Sequence, residues 1–491
     1  MPDAKSAAAA ALLEGGRKYG ASFLSFVNET GSPYHSVQAV QRRLLASGFT
    51  QLDEREKWEL RRGGKYFVTR NQACIAAFTI GENFRGSHSG FTIVAAHTDS
   101  PCLRLRPNSN LKKEGIQQAG IECYGGGLWH TWFDRGLGVA GKVVVKTENG
   151  LAEKLIRVDR PILVLPNLAI HLQSAEEIAA FKINKETHLQ PILCTEVYRQ
   201  LLEAQAGDCE VEKTAEDKRE AATGASCPLV DRKNEDRAAS PLLALVAKEL
   251  GVQPDDVLEW DLCLMDATPS RFCGIHDEFV ESPRLDNLGS TWAAFSALME
   301  AAPDSKDISL AVGFDHEEVG SESYTGAAST ALVVWMERIV QCLDVFDVYP
   351  QILSRSFLVS ADMAHGVHPN YSERHQGQTK PLMQQGVVIK ENSNQRYATN
   401  VATIALTRAV AQKGQVPLQL FTVKNDSRCG STVGPILSTR LGVRTVDIGI
   451  PQWAMHSCRE TCGILDLYAL QLLLKEFYTS FRSIDSTYQE A

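Results

Sequence analysis

Several acids and histidines in this chain stand just past the end of an apolar run, and their types are those that hold metal ions. His97 follows Phe91-Thr-Ile-Val-Ala-Ala96 and opens the stretch His-Thr-Asp-Ser-Pro. Glu317 and Glu318 follow Leu310-Ala-Val-Gly-Phe314, in Asp-His-Glu-Glu-Val-Gly. Asp362 follows Leu358-Val-Ser-Ala361, and His456 comes shortly after the run that ends at Ile450. Asp286, in Ser-Pro-Arg-Leu-Asp-Asn, stands just before a helical pattern. Two histidines with three carboxylates suit two divalent metals that share one carboxylate. Two such ions about 3.5–4 Å apart hold a water between them and lower its pKa. A carboxylate not spent on the metals then takes that water's proton, and the adjacent pair Glu317-Glu318 offers one base and one ligand. Asp99, two residues after His97, is spaced to orient that imidazole.

The elements that must position these groups are legible from apolar patterning. Ile308–Phe314, Ser356–Ser360 and Arg444–Ile450 read as buried strands, and Phe91–Ala96 as a short one. Leu288–Ala301, Ala331–Phe346, Val401–Lys413 and Leu465–Phe481 read as helices. Alternating strands and helices imply an α/β fold with a mixed, largely parallel sheet sandwiched by helices. In such a sheet, ligands bind beyond the carboxyl ends of the strands, where His97, Glu317, Glu318, Asp362 and His456 fall. From about residue 102 to 250 the texture changes to strand-like pieces such as Gly141–Lys146 and Pro161–Leu165. This divides the chain into a catalytic domain of residues 1–101 and 251–491 and an inserted, mainly β domain of 102–250. Residues 207–239 are highly charged and poor in apolar side chains, and read as a surface loop.

Composition narrows the function class. The chain has 491 residues and a formal net charge of −9, with 50 Lys and Arg against 59 Asp and Glu. Without long basic clusters, that balance argues against nucleic acid or an anionic membrane as partner. No apolar run approaches the roughly 18 residues of a membrane span. The short stretch Ala7–Leu13 ends at Glu14-Gly15-Gly16 and reads as the start of a helix or a frayed tail rather than a signal peptide. Twelve scattered cysteines with no Cys-x-x-Cys pair point to reduced thiols and a cytoplasmic location. Cys458, near His456, reads as a buried or semi-buried thiol rather than half of a catalytic dyad. Gly136-Leu-Gly-Val-Ala-Gly141 carries the glycine spacing of a dinucleotide loop, but the strand and helix that such a loop needs do not flank it.

Taken in order, His97-Thr-Asp-Ser-Pro, Leu128–Arg135, Arg284-Leu-Asp-Asn287, Asp315–Ser321, Asp362-Met-Ala-His365 with His368-Pro-Asn370, Asn394–Thr399 and Cys429-Gly-Ser-Thr432 resemble the aspartyl aminopeptidases, the M18 family of metallo-aminopeptidases. The similarity runs from about residue 20 to 480. It implies a metallo-aminopeptidase catalytic domain, a β domain that mediates dimerisation, and dimers that build a dodecamer. It implies two divalent metal ions per subunit, zinc first, with manganese or cobalt as alternatives. His97, Asp286 and Asp362 would hold one ion; Asp286, Glu318 and His456 the other. Glu317 would be the general base and Asp99 the support of His97. His171, in Asn167–His171, would reach into a neighbouring subunit's site, and Lys390 and Tyr397 would contact the substrate. The reaction implied is removal of a single N-terminal Asp or Glu from a peptide. The sequence departs from the family pattern at Gly136, where an acid is expected, and in the length of the 207–239 segment. An aminopeptidase of broader or neutral specificity, and a self-assembling scaffold with incidental activity, are the competing readings.

Overall fold

The computed structural model describes residues 4–207, 240–302 and 306–489. Residues 208–239, which hold nearly all of the charged segment expected to be a loop, lie outside the described residues. The chain divides into two compact units, one of residues 1–101, 125–128 and 269–491, the other of 102–124 and 129–268. The later limit falls at Thr268 rather than at 250 because the strand Val257–Asp266 pairs along nearly all of Gly136–Thr147, from Val257 opposite Val145 to Asp266 opposite Leu137. Gly125–Leu128 return to the first unit.

Among the described residues, the first unit is built on a nine-stranded sheet. Its central strands are Ile308–Phe314, Phe91–His97, Phe357–Ala361 and Arg444–Gly449, in that spatial order and all parallel. Every residue of the first three is buried, as patterning on a two-sided sheet requires. The side chains alternate between two cores. Val94 and Ala311 face the cluster built with the helices Ala4–Val27, Leu285–Glu300 and Ile464–Asp485, while Ile93, Ala95, Leu310 and Val312 face that of the helix Ala331–Cys342. The antiparallel strands Cys74–Ile80 and Lys65–Arg70 extend one side of this core, and the strand Val387–Glu391 joins the other side antiparallel to Arg444–Gly449. The sheet is therefore mixed, with a parallel centre sandwiched by helices, as the sequence implies.

Register decides where the functional groups emerge. Phe314 pairs with His97, Ser360 with Ala95, and Ala361 with Ile448. The four parallel strands thus end almost level, and whatever follows each of them appears on one rim. A five-stranded sheet that includes the strands Pro451–Trp453 and Glu460–Gly463 frames the His456 loop.

The second unit is a closed barrel of the strands Val257–Asp266, Cys102–Lys113, Ile116–Tyr124, Ile192–Thr195, Gly150–Val164 and Gly136–Thr147. Gly136–Gly141, the dinucleotide-like glycines, lie inside the last of these, so they form strand and not a phosphate loop. Every cysteine among the described residues is a free thiol, and Cys458 is buried. Among the described residues, no helix is long and apolar enough to cross a membrane.

Candidate metal centre

On the rim where the parallel strands end, His97, Asp286, Glu317, Glu318, Asp362 and His456 converge. His97 Nε2 lies 3.3 Å from Asp286 Oδ1, 3.6 Å from Asp362 Oδ1 and 3.8 Å from Glu317 Oε2. His456 Nε2 lies 3.3 Å from Asp286 Oδ2 and 3.4 Å from Glu318 Oε2. Tetrahedral ligands with bonds of about 2.0–2.1 Å stand about 3.3 Å apart, so these separations match the edges of two coordination polyhedra. Asp286 places one carboxylate oxygen beside each histidine. The groups His97–Asp286–Asp362 and Asp286–Glu318–His456 both bring their ligand atoms within 4.8 Å of one another. A third such group, His97–Glu317–Glu318, includes the acid expected to act as base.

Two further observations test whether cations fit here. Asp286 Oδ1, Asp362 Oδ1 and Glu318 Oε1 are buried and make no hydrogen bond, which is costly for carboxylate oxygens unless a cation satisfies them. The titration of the cluster shows the same frustration. Burial, with Asp362 and Asp286 adding to it against His97, pushes Glu317 up to about 8. Burial and the charge of Asp286 push Glu318 well above the ordinary carboxylate range. Burial opposes charge on His97, yet the surrounding Glu317, Asp286, Asp362 and Asp99 overcome it and raise its pKa. Carboxylates crowded in this way resist ionising together, and a divalent cation among them reverses that balance. The donor set therefore fits two divalent metals.

Local backbone conformation aims these side chains. Arg284, two residues before Asp286, His316, just before Glu317, and His456 itself all have positive φ, at 62°, 63° and 69°. None is a glycine, and each such residue costs of order 1–3 kcal/mol, the kind of strain that clusters at functional sites. Gly449 is required for a different reason: a Cβ there would overlap the carbonyl oxygen of Asp362.

The supporting groups hold the ligands in place. Asp99 faces His97, with its Oδ1 3.3 Å and its main-chain oxygen 3.1 Å from Nδ1. That arrangement favours a proton on Nδ1 and leaves the Nε2 lone pair for a metal. The Asp99 carboxylate also accepts the main-chain N–H groups of Glu317 and Glu318, each at 3.1 Å. Asp99 thus reaches the strand end opposite as well as the imidazole that spacing assigns to it. His456 Nδ1 lies 3.1 Å from the carbonyl oxygen of Gly126.

Glu460 is a buried member of this support that the sequence reading misses. Its Oε2 accepts the N–H of Asp286 at 3.1 Å, and its Oε1 accepts the N–H of His456 at 2.8 Å. One carboxylate thus ties the backbones of Asp286 and His456. Burial and the charge of Asp286 raise Glu460 to about 8. The available signal was an acid beside the apolar stretch Cys462-Gly-Ile-Leu465. Asp447 was missed as well, although it interrupts the apolar strand Arg444–Gly449. It accepts Thr432 Oγ1 at 2.5 Å and the N–H of Ala398 at 2.6 Å, anchoring the residue next to Tyr397.

The remaining candidates occupy distinct places. Lys390 is 3% exposed, and its Nζ donates to Asp362 Oδ2 at 3.2 Å. Tyr397 is buried with its ring centre 5.5 Å from the same Nζ. His171 lies in the second unit, on the exposed turn Ile170–Leu172.

The chain is similar to known proteins in sequence and in fold. The model of the family described as aminopeptidase I zinc metalloprotease (M18) matches residues 26–478. An aspartyl aminopeptidase of Aspergillus oryzae is 43% identical over 490 residues, covering 95% of this chain and 96% of that protein. The solved structure of the Ape4 and Nbr1 complex superposes with a TM-score of 0.86 at 40% identity, covering 96% of this chain and 87% of that one. The S. cerevisiae mApe1 dodecamer superposes with a TM-score of 0.77 at 25% identity, covering 95% of this chain and 98% of that one.

Proposed function

Because the chain belongs to the M18 family of aminopeptidase I zinc metalloproteases, we propose that it removes a single N-terminal Asp or Glu from peptides at a two-metal centre, with Glu317 as general base. The observation that carries this reading is the Asp286 carboxylate, which offers one oxygen beside each of two histidines, 3.3 Å from both. His97, Asp286 and Asp362 would hold one ion and Asp286, Glu318 and His456 the other. Zinc is the metal named for the family, and manganese or cobalt would suit the same donors. Two divalent ions here would polarise the scissile carbonyl and acidify the attacking water.

The chain's own groups supply the rest. Glu317 Oε2 is close to the first ligand set, 3.8 Å from His97 Nε2, and its carboxylate is free to accept a proton from the attacking water. It then returns that proton to the departing amine. Asp99 holds the two glutamates and the His97 tautomer in register. Lys390, steadied by Asp362, and Tyr397 beside it are proposed to contact the acidic residue. His171, on an exposed turn of the barrel, is proposed to serve a neighbouring subunit's site.

Assembly follows the same reasoning. Leu168, Ile170, Leu172, Ile178 and Phe181 are exposed along one short segment of the barrel unit. Such a run marks a protein interface. With a dodecameric relative as precedent, we propose a homo-oligomer built from dimers, up to a dodecamer. The free thiols support a reducing, cytoplasmic setting.

The test is a rate panel on short peptides with N-terminal Asp, Glu, Leu, Ala, Lys and Gly, with chelator and with metal restored. Preference for Asp and Glu that disappears on chelation and returns with metal is the expected result. Metal-dependent cleavage that favours Leu or Ala would retain the centre and discard the acid selectivity.

A further inference from the structure

The parallel strands that end at the metal-binding cluster begin at a second cavity, of about 920 Å³, on the opposite side of the first unit. The strand Phe91–His97 has seven residues. At ~3.3 Å per residue it separates the two places by roughly 20 Å.

A cation precedes or opens each of these strands. Arg85 stands on the loop that leads into Phe91, Lys306 lies two residues before Ile308, Arg355 lies two residues before Phe357, and Arg444 is the first residue of its strand. Arg482, from the last turn of the helix Ile464–Asp485, is a fifth cation in the lining. Asp485 is the only acid there among the described residues.

The base of this cavity is fixed. Arg482 Nε lies 3.0 Å from both oxygens of the fully buried Asp307, and its guanidinium donates to Asp485 at 2.9 Å and to the carbonyl oxygen of Arg355 at 2.7 Å. Arg444 donates to both oxygens of Asp485, at 2.7 and 3.0 Å. Gly90 leaves the room this needs, since a Cβ there would lie 2.5 Å from Arg482 Nη2. Asp307 and Asp485 are thus spent on Arg482 and Arg444. The side chains of Arg85 and Arg355 donate only to main-chain carbonyls, of Phe84 at 3.3 Å and of Gln351 at 3.1 Å, and meet no acid among the described residues.

In a chain of net charge −9, five cations around one carboxylate make a local field that attracts anions. Guanidinium groups match phosphate oxygens with paired N–H donors. A phosphate group brings about two negative charges, closer to the excess here than a single carboxylate would be. The volume falls in the range of about 300–1,000 Å³ usual for small-molecule sites, so it holds more than the phosphate alone. Tyr488 on the wall is partly exposed and offers a face to the remainder of such a molecule.

We infer that this cavity binds a phosphate group, with Arg85 and Arg355 as its counter-charges over the fixed Arg444–Asp485–Arg482 base. The site is separate from the metal centre and does not depend on the aminopeptidase reading. The phosphate arrives either free, as inorganic phosphate, or on a nucleoside diphosphate.

Calorimetry on the metal-loaded full chain tests this with inorganic phosphate, ADP and adenosine. Wild type is compared with Arg85→Ala plus Arg355→Ala, which leaves the buried base in place, and with Arg85→Glu alone at an exposed position. Any phosphate held by the metals is common to all three proteins and cancels in the comparison. The expected result is that wild type binds phosphate or ADP but not adenosine, with a dissociation constant at least tenfold higher in the double variant and raised in Arg85→Glu. Added salt should weaken the wild-type binding, as it does any interaction between accessible charges. Similar affinity for phosphate and ADP identifies inorganic phosphate as sufficient, and a clear preference for ADP identifies the nucleotide. Wild type that binds neither, or equal affinities in all three proteins, would overturn the site.

Discussion

Asp286 and His456 meet at the rim of the sheet, with Asp286 Oδ2 3.3 Å from His456 Nε2. The first residue opens a helix and the second sits in a loop between two short strands of another sheet. Because the other oxygen of Asp286 faces His97 at the same distance, the two halves of the site share one carboxylate.

That sharing makes a graded prediction. Asp286→Ala should lose both metals, whereas His456→Ala should lose one and retain the ion held by His97 and Asp362. Metal content per subunit by atomic emission, after gel filtration in chelator-free buffer, distinguishes them. Equal loss in both variants would contradict a shared ligand.

Glu460 should behave as a positioning residue. Glu460→Gln keeps the volume but puts an N–H donor where one of the N–H groups of Asp286 or His456 now finds an acceptor. Loss of support of this kind typically costs about 10–100-fold in metal affinity or activity. Competition with a coloured zinc chelator should show that weakening, while far-ultraviolet circular dichroism stays that of wild type. Unchanged affinity would reduce Glu460 to a satisfied core acid.

Away from the centre, Glu54 sets a pH dependence of stability. Burial raises its pKa, but hydrogen bonds from Arg70 and Trp335 outweigh burial and hold it below the usual carboxylate value. Its Oε1 takes the Trp335 Nε1–H at 2.9 Å, and Arg70 grips both oxygens. A depressed folded-state pKa contributes stability that is present above about 4.5 and is lost as pH falls through the lower folded value. Glu54→Gln should therefore lower stability by about 1–3 kcal/mol at pH 7. The gap to wild type should narrow toward pH 3 in urea unfolding monitored at both pH values. A gap that stays constant with pH would assign the loss to packing alone.

Much of the site was legible because strand ends are. His97, the Glu317-Glu318 pair and Asp362 each follow a continuous apolar run, and level register turns those separate endings into one rim. His456 was legible as a histidine shortly after the run that ends at Ile450, and Asp286 only as an acid just before a helix, since a helix start carries no periodic signal. Asp99 was read as a partner of one imidazole; its grip on the N–H groups of Glu317 and Glu318 depends on a strand far along the chain. Glu460 and Asp447 were missed because burial of an acid shows in the sequence only as an interruption of apolar texture. The later limit of the β unit was placed too early because Val257–Asp266 resembles any other strand until its pairing partner is known.

The central claim is that Glu317 moves a proton and does not hold the metals. Metal content and turnover of Glu317→Gln, measured on the same sample against an N-terminal Asp peptide, test it most directly. The account predicts wild-type metal content and a fall in kcat of at least about 10²–10⁴-fold, the range of general-base catalysis. Near-normal turnover in metal-loaded protein, or loss of metal along with activity, would contradict it.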